Sequence, residues 1–338
     1  MRSAAKLSSR KLRVAIINDY QDVVRTLDCF AKLEGHEISI WTDIVDDAEV
    51  LARRLYDADV LVLMRERTRV DEVLLSRLPN LKLISQNGHI PHIDLEACDR
   101  HGVIVSSAVT SRPSYSTVEL TWGLIIAAMR NIPFESAALR QGHWQTTIGL
   151  GLRGRVLGIY GFGRLGAMVA QIGKAFGMEV LVWGRQGSLA RAQSEGFETA
   201  SDRDALFRLS DVLSLHLRLN AETAGVIGPD DLALMKPTAL LVNTSRAELI
   251  QPGALVTALK SGRPGKAAID VFECEPLTDA NDALLGLPNA LCTPHLGYVE
   301  RDNYEFAYGN AFDQIIAFTK GSPINVHSAH GPKTGSLT

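Results

Sequence analysis

Short apolar runs rich in β-branched residues recur along the chain, separated by stretches with helical periodicity. They fall at 14–17, 38–41, 60–63, 81–84 and 103–105, and again at 156–160, 180–183, 212–215, 239–242, 267–269 and 290–292. A strand with one wet face alternates apolar and polar residues. A continuous apolar run needs cover on both faces, which parallel sheets receive from their crossover helices. Two series of such runs predict an α/β protein with two doubly wound parallel-sheet domains, and 338 residues suffice for two domains of ordinary size.

Between the series, residues 111–130 open on Ser-Arg-Pro, with Pro113 suited to a first helical turn. The stretch VELTWGLIIAAM is apolar nearly all round and predicts a buried helix. A last helical pattern, 304–318, follows the second series and is expected to return to the first domain. The expected organisation is a discontinuous first domain, 11–108 plus 300–326, and a second domain, 109–299, with a cleft between them. Residues 1–10 and 327–338 read as flexible tails.

Residues 155–185 read RVLGIYGFGRLGAMVAQIGKAFGMEVLVWGR. Gly161, Gly163 and Gly166 hold G-x-G-x-x-G spacing after a strand and before a helix. Inside a βαβ unit of about 30 residues that pattern is a strong sign of a dinucleotide site. Gly161 permits the tight turn, Gly163 lets backbone N–H groups approach a pyrophosphate, and Gly166 allows the helix to pack closely on the strand. Arg164 and Leu165 complete the loop. The second domain is thus expected to be Rossmann-like and its companion Rossmann- or flavodoxin-like. After the second strand of the unit an NAD site usually carries Asp or Glu for the ribose 2′-OH. Here stand Gly184 and Arg185, so no carboxylate repels a 2′-phosphate and a guanidinium is available to bind one. The expectation leans to NADP, with NAD as the alternative.

Three segments follow strands of the second series at their carboxyl ends, the side on which open α/β sheets bind ligands. They are LLVNTSRAELI around Arg246, AAIDVFECEPL around Glu275 and CTPHLGY around His295. A 2-oxo acid places a carboxylate beside a carbonyl. A guanidinium can hold the first and polarise the second. Reduction needs a proton at the carbonyl oxygen, which an imidazole can supply, and a carboxylate partner orients that imidazole and favours its protonated form.

These segments resemble the D-isomer-specific 2-hydroxyacid dehydrogenase family, which includes phosphoglycerate, glyoxylate/hydroxypyruvate and D-lactate dehydrogenases. The resemblance covers roughly 11–325 and is carried by GFGRLG, NTSR, DVFECEP and TPHLGY. It implies a homodimer with an interdomain cleft and D-stereochemistry. It implies that Arg246 binds substrate, Glu275 tunes the imidazole and His295 is the acid/base. Asp270 would lie near the nicotinamide, with Thr244, Thr223 and Leu217 near the cofactor. In the first domain, the Gly-containing turn after 81–84 would hold the substrate carboxylate, which selects Asn87, Gly88 and His89. The chain departs from the family at Ala247, usually Gly, at Gln251, usually Asp, and at Arg218, where Pro is common.

Composition narrows the rest. Lys+Arg number 35 against Asp+Glu 38, a formal charge of −3, whereas nucleic-acid and membrane surfaces usually need a basic excess. The basic N-terminus lacks a signal-peptide core, and the apolar stretch 120–129 falls short of the roughly 20 residues that span a bilayer. Four separated cysteines, Cys29, Cys98, Cys274 and Cys292, without a C-x-x-C pair, fit a reducing, cytoplasmic setting. His89 and His92 have no neighbouring ligands to complete a metal set, so no metal is expected. The favoured substrate type is glyoxylate or hydroxypyruvate, with D-3-phosphoglycerate as runner-up. Glu275 argues against formate, whose enzymes carry a neutral residue there. The alternative of another class is a non-catalytic dinucleotide-sensing binding protein.

Overall fold

The computed structural model describes residues 11–45, 47–108 and 115–329. The first expected tail, most of the second, and Pro113 lie outside the described residues. The chain divides into two compact units, residues 1–113 with 300–338, and residues 114–299.

In chain order the strands are β1 Arg13–Ile16, β2 Glu37–Ile40, β3 Val60–Val62, β4 Leu83–Asn87, β5 Ile104–Ala108, β6 Val156–Tyr160, β7 Glu179–Trp183, β8 Glu198–Thr199, β9 Val212–Leu215, β10 Leu240–Asn243, β11 Lys266–Ile269, β12 Ala290–Cys292 and β13 Val326–His327. The helices are α1 Ala48–Leu55, α2 Glu72–Leu75, α3 Leu95–His101, α4 Tyr115–Met129, α5 Ile132–Arg140, α6 Arg164–Ala175, α7 Gln186–Ser194, α8 Arg203–Leu209, α9 Pro229–Leu234, α10 Ala254–Ser261 and α11 Arg301–Thr319.

The first unit carries a six-stranded sheet, ordered β13-β5-β4-β3-β1-β2. Its first five strands pair in parallel and follow the flavodoxin-like order. One face is covered by α1, α2 and α3, whose Leu51, Leu55, Leu74, Leu75 and Ala97 enter a core with Leu61, Ile84 and Val105. Asp47, Asp71 and Asp94 cap these helices by accepting backbone N–H bonds from the first turn. On the other side α11 packs against β4 and β5, burying Tyr308, Phe312 and Ile315. Each such side chain contributes roughly 1.5–3 kcal/mol by leaving water.

The second unit is a seven-stranded, wholly parallel sheet, ordered β12-β11-β10-β9-β6-β7-β8. The order is Rossmann-like, and the chain reverses its direction of growth between β6 and β9. Strands β9 and β10 are buried at every residue, as their continuous apolar runs require. Trp122, Ile125 and Met129 of α4 and Val169 of α6 cover one face. Phe207, Leu232, Leu255 and Leu259 lie in the core on the other. Helix α6 approaches closely because Gly173 faces the sheet: a Cβ there would meet Leu157 Cδ2 at 2.4 Å.

Two short strands depart from the expected pattern. Strand β8 has two residues, too few to register as an apolar run. Strand β13 pairs antiparallel with β5, so the first sheet is not wholly parallel. It also takes in His327, assigned above to a flexible tail. The His327 imidazole donates to the Ser107 carbonyl at 2.9 Å, and Ser328 and Ala329 both donate to the Asp99 carboxylate.

Candidate active site

Every site residue expected in the second unit follows the carboxyl end of a strand. Gly161 to Gly166 follow β6, Gly184 and Arg185 follow β7, Leu217 and Thr223 follow β9, and Thr244 and Arg246 follow β10. Asp270 and Glu275 follow β11, and His295 follows β12.

The phosphate turn fits a dinucleotide. Gly161 has φ +100, and a Cβ on it would strike the His216 carbonyl oxygen at 2.7 Å. On Gly166 a Cβ would sit 2.2 Å from the Gly161 carbonyl oxygen. At Gly163 a Cβ would enter open space above the start of α6. That helix has Gly163 as its N-cap, no side-chain cap and no acidic residue in its first turn, so its N–H groups and partial positive charge are left for an anion. His216 is half-buried beside this turn with Nε2 2.9 Å from Ser214 Oγ, and desolvation of the ring pushes the imidazole down to about 4.

The loop after β10 is pinned by its own polar groups. Asn243 Nδ2 donates to the Arg246 carbonyl at 2.8 Å, and Asn243 Oδ1 accepts from the Ser245 N–H at 3.0 Å. Ser245 Oγ donates to the Leu217 carbonyl, and the hydroxyls of Thr244 and Thr121 share a buried hydrogen bond. Arg246 donates through Nη1 to the Ser245 carbonyl at 2.8 Å.

Glu275 and His295 come together across the next two strand ends. His295 Nδ1 lies 2.5 Å from Glu275 Oε2, and Glu275 Oε1 accepts from the Phe272 N–H at 2.9 Å. Burial pushes the Glu275 carboxyl up. The bond and charge of His295, the Phe272 N–H and the Arg246 charge outweigh it and hold the carboxyl below its ordinary value. The Arg246 charge thus reaches the Glu275 carboxyl. With Nδ1 engaged, Nε2 is the ring nitrogen left to exchange a proton with substrate. His295 has φ 51 and ψ 53, a left-handed conformation uncommon for a side chain of its size. The Tyr298 ring meets the imidazole edge-on, with centroids 5.4 Å apart.

Asp270 explains how that conformation is held. It is fully buried, and its Oδ1 accepts from Thr293 Oγ1 at 2.6 Å and from the Leu296 N–H at 2.7 Å. Its Oδ2 accepts from the Gly297 N–H at 2.9 Å. Burial raises the Asp270 carboxyl, opposed by these donors and by the His295 charge. Both Asp270 oxygens are thus engaged by the turn that carries His295.

Two expectations at the adenosine side gain partners that the sequence did not reveal. Arg185 forms an ion pair with Glu222 at 2.6 Å. The Thr223 hydroxyl donates to the Arg218 carbonyl at 2.6 Å and accepts from the Asn220 N–H at 2.9 Å, closing its own turn. Gln251, which stands where the family has Asp, donates to the Gly225 carbonyl at 3.2 Å.

Asn87, Gly88 and His89 belong to the first unit, at the end of β4. Asn87 Oδ1 accepts from Asn310 Nδ2 at 3.0 Å. Gly88 has φ +117, its N–H donates to the Ala108 carbonyl, and its carbonyl accepts from Ser107 Oγ. The exposed His89 offers its backbone carbonyl to Gln86, while His92 turns inward onto the Gln86 side-chain oxygen. Arg67 donates to the Asn18 carbonyl and lies over the Tyr20 ring at 4.2 Å.

Residues 122–297 match the family described as D-isomer specific 2-hydroxyacid dehydrogenase, NAD binding domain. A glyoxylate reductase from Aeropyrum pernix is 36% identical over 300 residues, covering 85% of this chain and 88% of that protein. The chain belongs to the D-isomer specific 2-hydroxyacid dehydrogenase family, and with it to the oxidoreductases that use a nicotinamide dinucleotide. A D-3-phosphoglycerate dehydrogenase from Methanocaldococcus jannaschii is 35% identical over 325 residues, covering 94% of this chain; the chain spans 60% of that protein's length. Among solved structures, a phosphoglycerate oxidoreductase from Vibrio cholerae superposes with a TM-score of 0.88 at 46% identity, covering 92% of this chain and all of that one.

Proposed function

We propose that the protein interconverts a small 2-oxo acid and its D-2-hydroxy acid, with glyoxylate or hydroxypyruvate as the favoured substrate type. The observation that carries the reading is the Glu275–His295 pair beside the Arg246 charge. When bound, the reduced nicotinamide supplies a hydride equivalent to the carbonyl carbon. The remaining work falls to side chains of the chain. Arg246 holds the substrate carboxylate and draws electron density toward the carbonyl oxygen. His295 delivers a proton from Nε2 to that oxygen, and Glu275 stabilises the charged imidazole before transfer. In the opposite direction the imidazole takes the hydroxyl proton. Gly161, Gly163 and Gly166, with the α6 N-terminus, would hold the pyrophosphate.

Residues 109–299 are proposed as the dinucleotide domain and 11–108 with 300–326 as the substrate domain, where Asn87, Gly88 and His89 would meet the acid. Arg185, in place of a strand-end carboxylate, supports acceptance of NADPH as well as NADH. The exposed apolar side chains Ile132, Phe134, Leu139, Trp144 and Ile148 support the expected homodimer. The four free cysteines suit a reducing compartment, hence the cytoplasm.

The test is the fall in dinucleotide absorbance with a panel of 2-oxo acids. Turnover of glyoxylate or hydroxypyruvate is expected; no turnover of any acid overturns the proposal. The names of the M. jannaschii and V. cholerae relatives favour a second reading, oxidation of D-3-phosphoglycerate. A larger kcat/KM on that ester than on glycerate or glycolate would select it.

A further inference from the structure

At the end of β7, where such sites carry the group that meets the adenosine ribose, the chain has Gly184 and Arg185 and no carboxylate. The fold brings one there from elsewhere. Glu222, on the loop after β9, places a carboxylate oxygen 2.6 Å from an Arg185 Nη. Gly184, the residue before Arg185, stands beside the phosphate turn: a Cβ on it would lie 3.7 Å from the Gly161 Cα. The turn that presents Glu222 is built. Asn220 Oδ1 accepts from the N–H groups of Glu222 at 2.9 Å and Thr223 at 3.1 Å. The Thr223 hydroxyl closes the same turn from its other side.

We infer that Glu222 sets the selectivity of this site between the two nicotinamide dinucleotides, by holding Arg185 in competition with a ribose 2′-phosphate. The inference rests on the dinucleotide site proposed above. A guanidinium binds a carboxylate or a phosphate through the same parallel N–H groups, so Arg185 cannot serve both fully. A 2′-phosphate arriving here meets a fixed negative charge as well as the positive one. A 2′-hydroxyl meets no such conflict and can donate to the carboxylate. The two side chains are 71% and 77% exposed, so the pair is weak enough to open, and the filter is graded rather than absolute.

Fluorescence titration of the full-length protein with NADPH and with NADH, without 2-oxo acid, gives the two dissociation constants. In Glu222→Gln the NADPH constant should fall about five-fold or more, while that for NADH holds within about two-fold or rises. The NADPH gain should shrink when Arg185→Gln is already present. An unchanged ratio of the two constants in Glu222→Gln overturns the assignment. An equal gain without the Arg185 guanidinium overturns the competition for it. The wild-type ratio is a separate measurement: tighter NADH binding there sinks the NADPH lean and leaves the role of Glu222 standing. Absence of binding to either dinucleotide removes the site itself and this inference with it.

Discussion

His295 is held by three kinds of contact: a carboxylate on Nδ1, an aromatic edge against the ring, and a backbone turn fixed from below. If it is the proton donor, His295→Asn should lower kcat by about 100-fold or more while leaving the dissociation constant for the dinucleotide unchanged. Equal losses in both would mean that the residue is structural. Glu275 makes a prediction about pH. Its carboxyl sits below the ordinary value, so the stabilisation it gives the pair is complete above the usual carboxylate range and is lost as pH falls through the lowered value. Wild-type reduction should therefore persist into acid. Glu275→Gln lacks that titration, so its reduction rate should be lower than wild type's above the carboxylate range and should show no such loss at acid pH; superimposable profiles would rule out the pairing. The residue types of the pair were legible because each follows a strand end in a recognisable segment. The partner of Arg185 was not, because Glu222 lies on a loop after a different strand and nothing in its spacing points to β7.

At the scale of the element, the fit between β6, its turn and α6 leaves no room for a side chain at Gly161 or Gly166. Gly166→Val should cost about 1–3 kcal/mol by overpacking against the Gly161 carbonyl and should abolish dinucleotide binding, both readable in one set of thermal melts with and without NADH. The end of β9 predicts a pH effect on stability. Burial holds the His216 imidazole neutral in the fold to about pH 4. The unfolded imidazole protonates near its ordinary value of about 6.5, so the stability tied to the neutral form is present above that value and lost as pH falls toward 4. Between pH 7 and pH 5 the wild type should lose about 1–2 kcal/mol more than His216→Gln in urea unfolding; equal losses would show the imidazole to be hydrated. Runs with full apolar cover, such as 156–160 and 212–215, appear in the structure with the expected bounds. The two-residue strands β8 and β13 are recruited by neighbouring edges and carry no periodic signal.

For the whole molecule, the two units differ in strand order, and the phosphate turn belongs to the one spanning 114–299. Ligand that binds the folded form alone adds stability by mass action, about 2.7 kcal/mol at a hundred times the dissociation constant. Calorimetry with saturating dinucleotide should therefore raise the transition of that unit. A shift confined to a transition assigned to the other unit would contradict the proposed division. The two-series organisation could be read from the runs alone. The antiparallel β13 could not, since two residues near the chain end gain their structure from the edge of β5.

The clamp on the 293–297 turn has a consequence for how such a catalyst can change its diet. With the carboxylate of Asp270 anchoring three donors out of reach of water, the imidazole is mounted like a fixed post. A bulkier or more highly charged acid must then be accommodated by side chains that face it, while the proposed proton source keeps its aim.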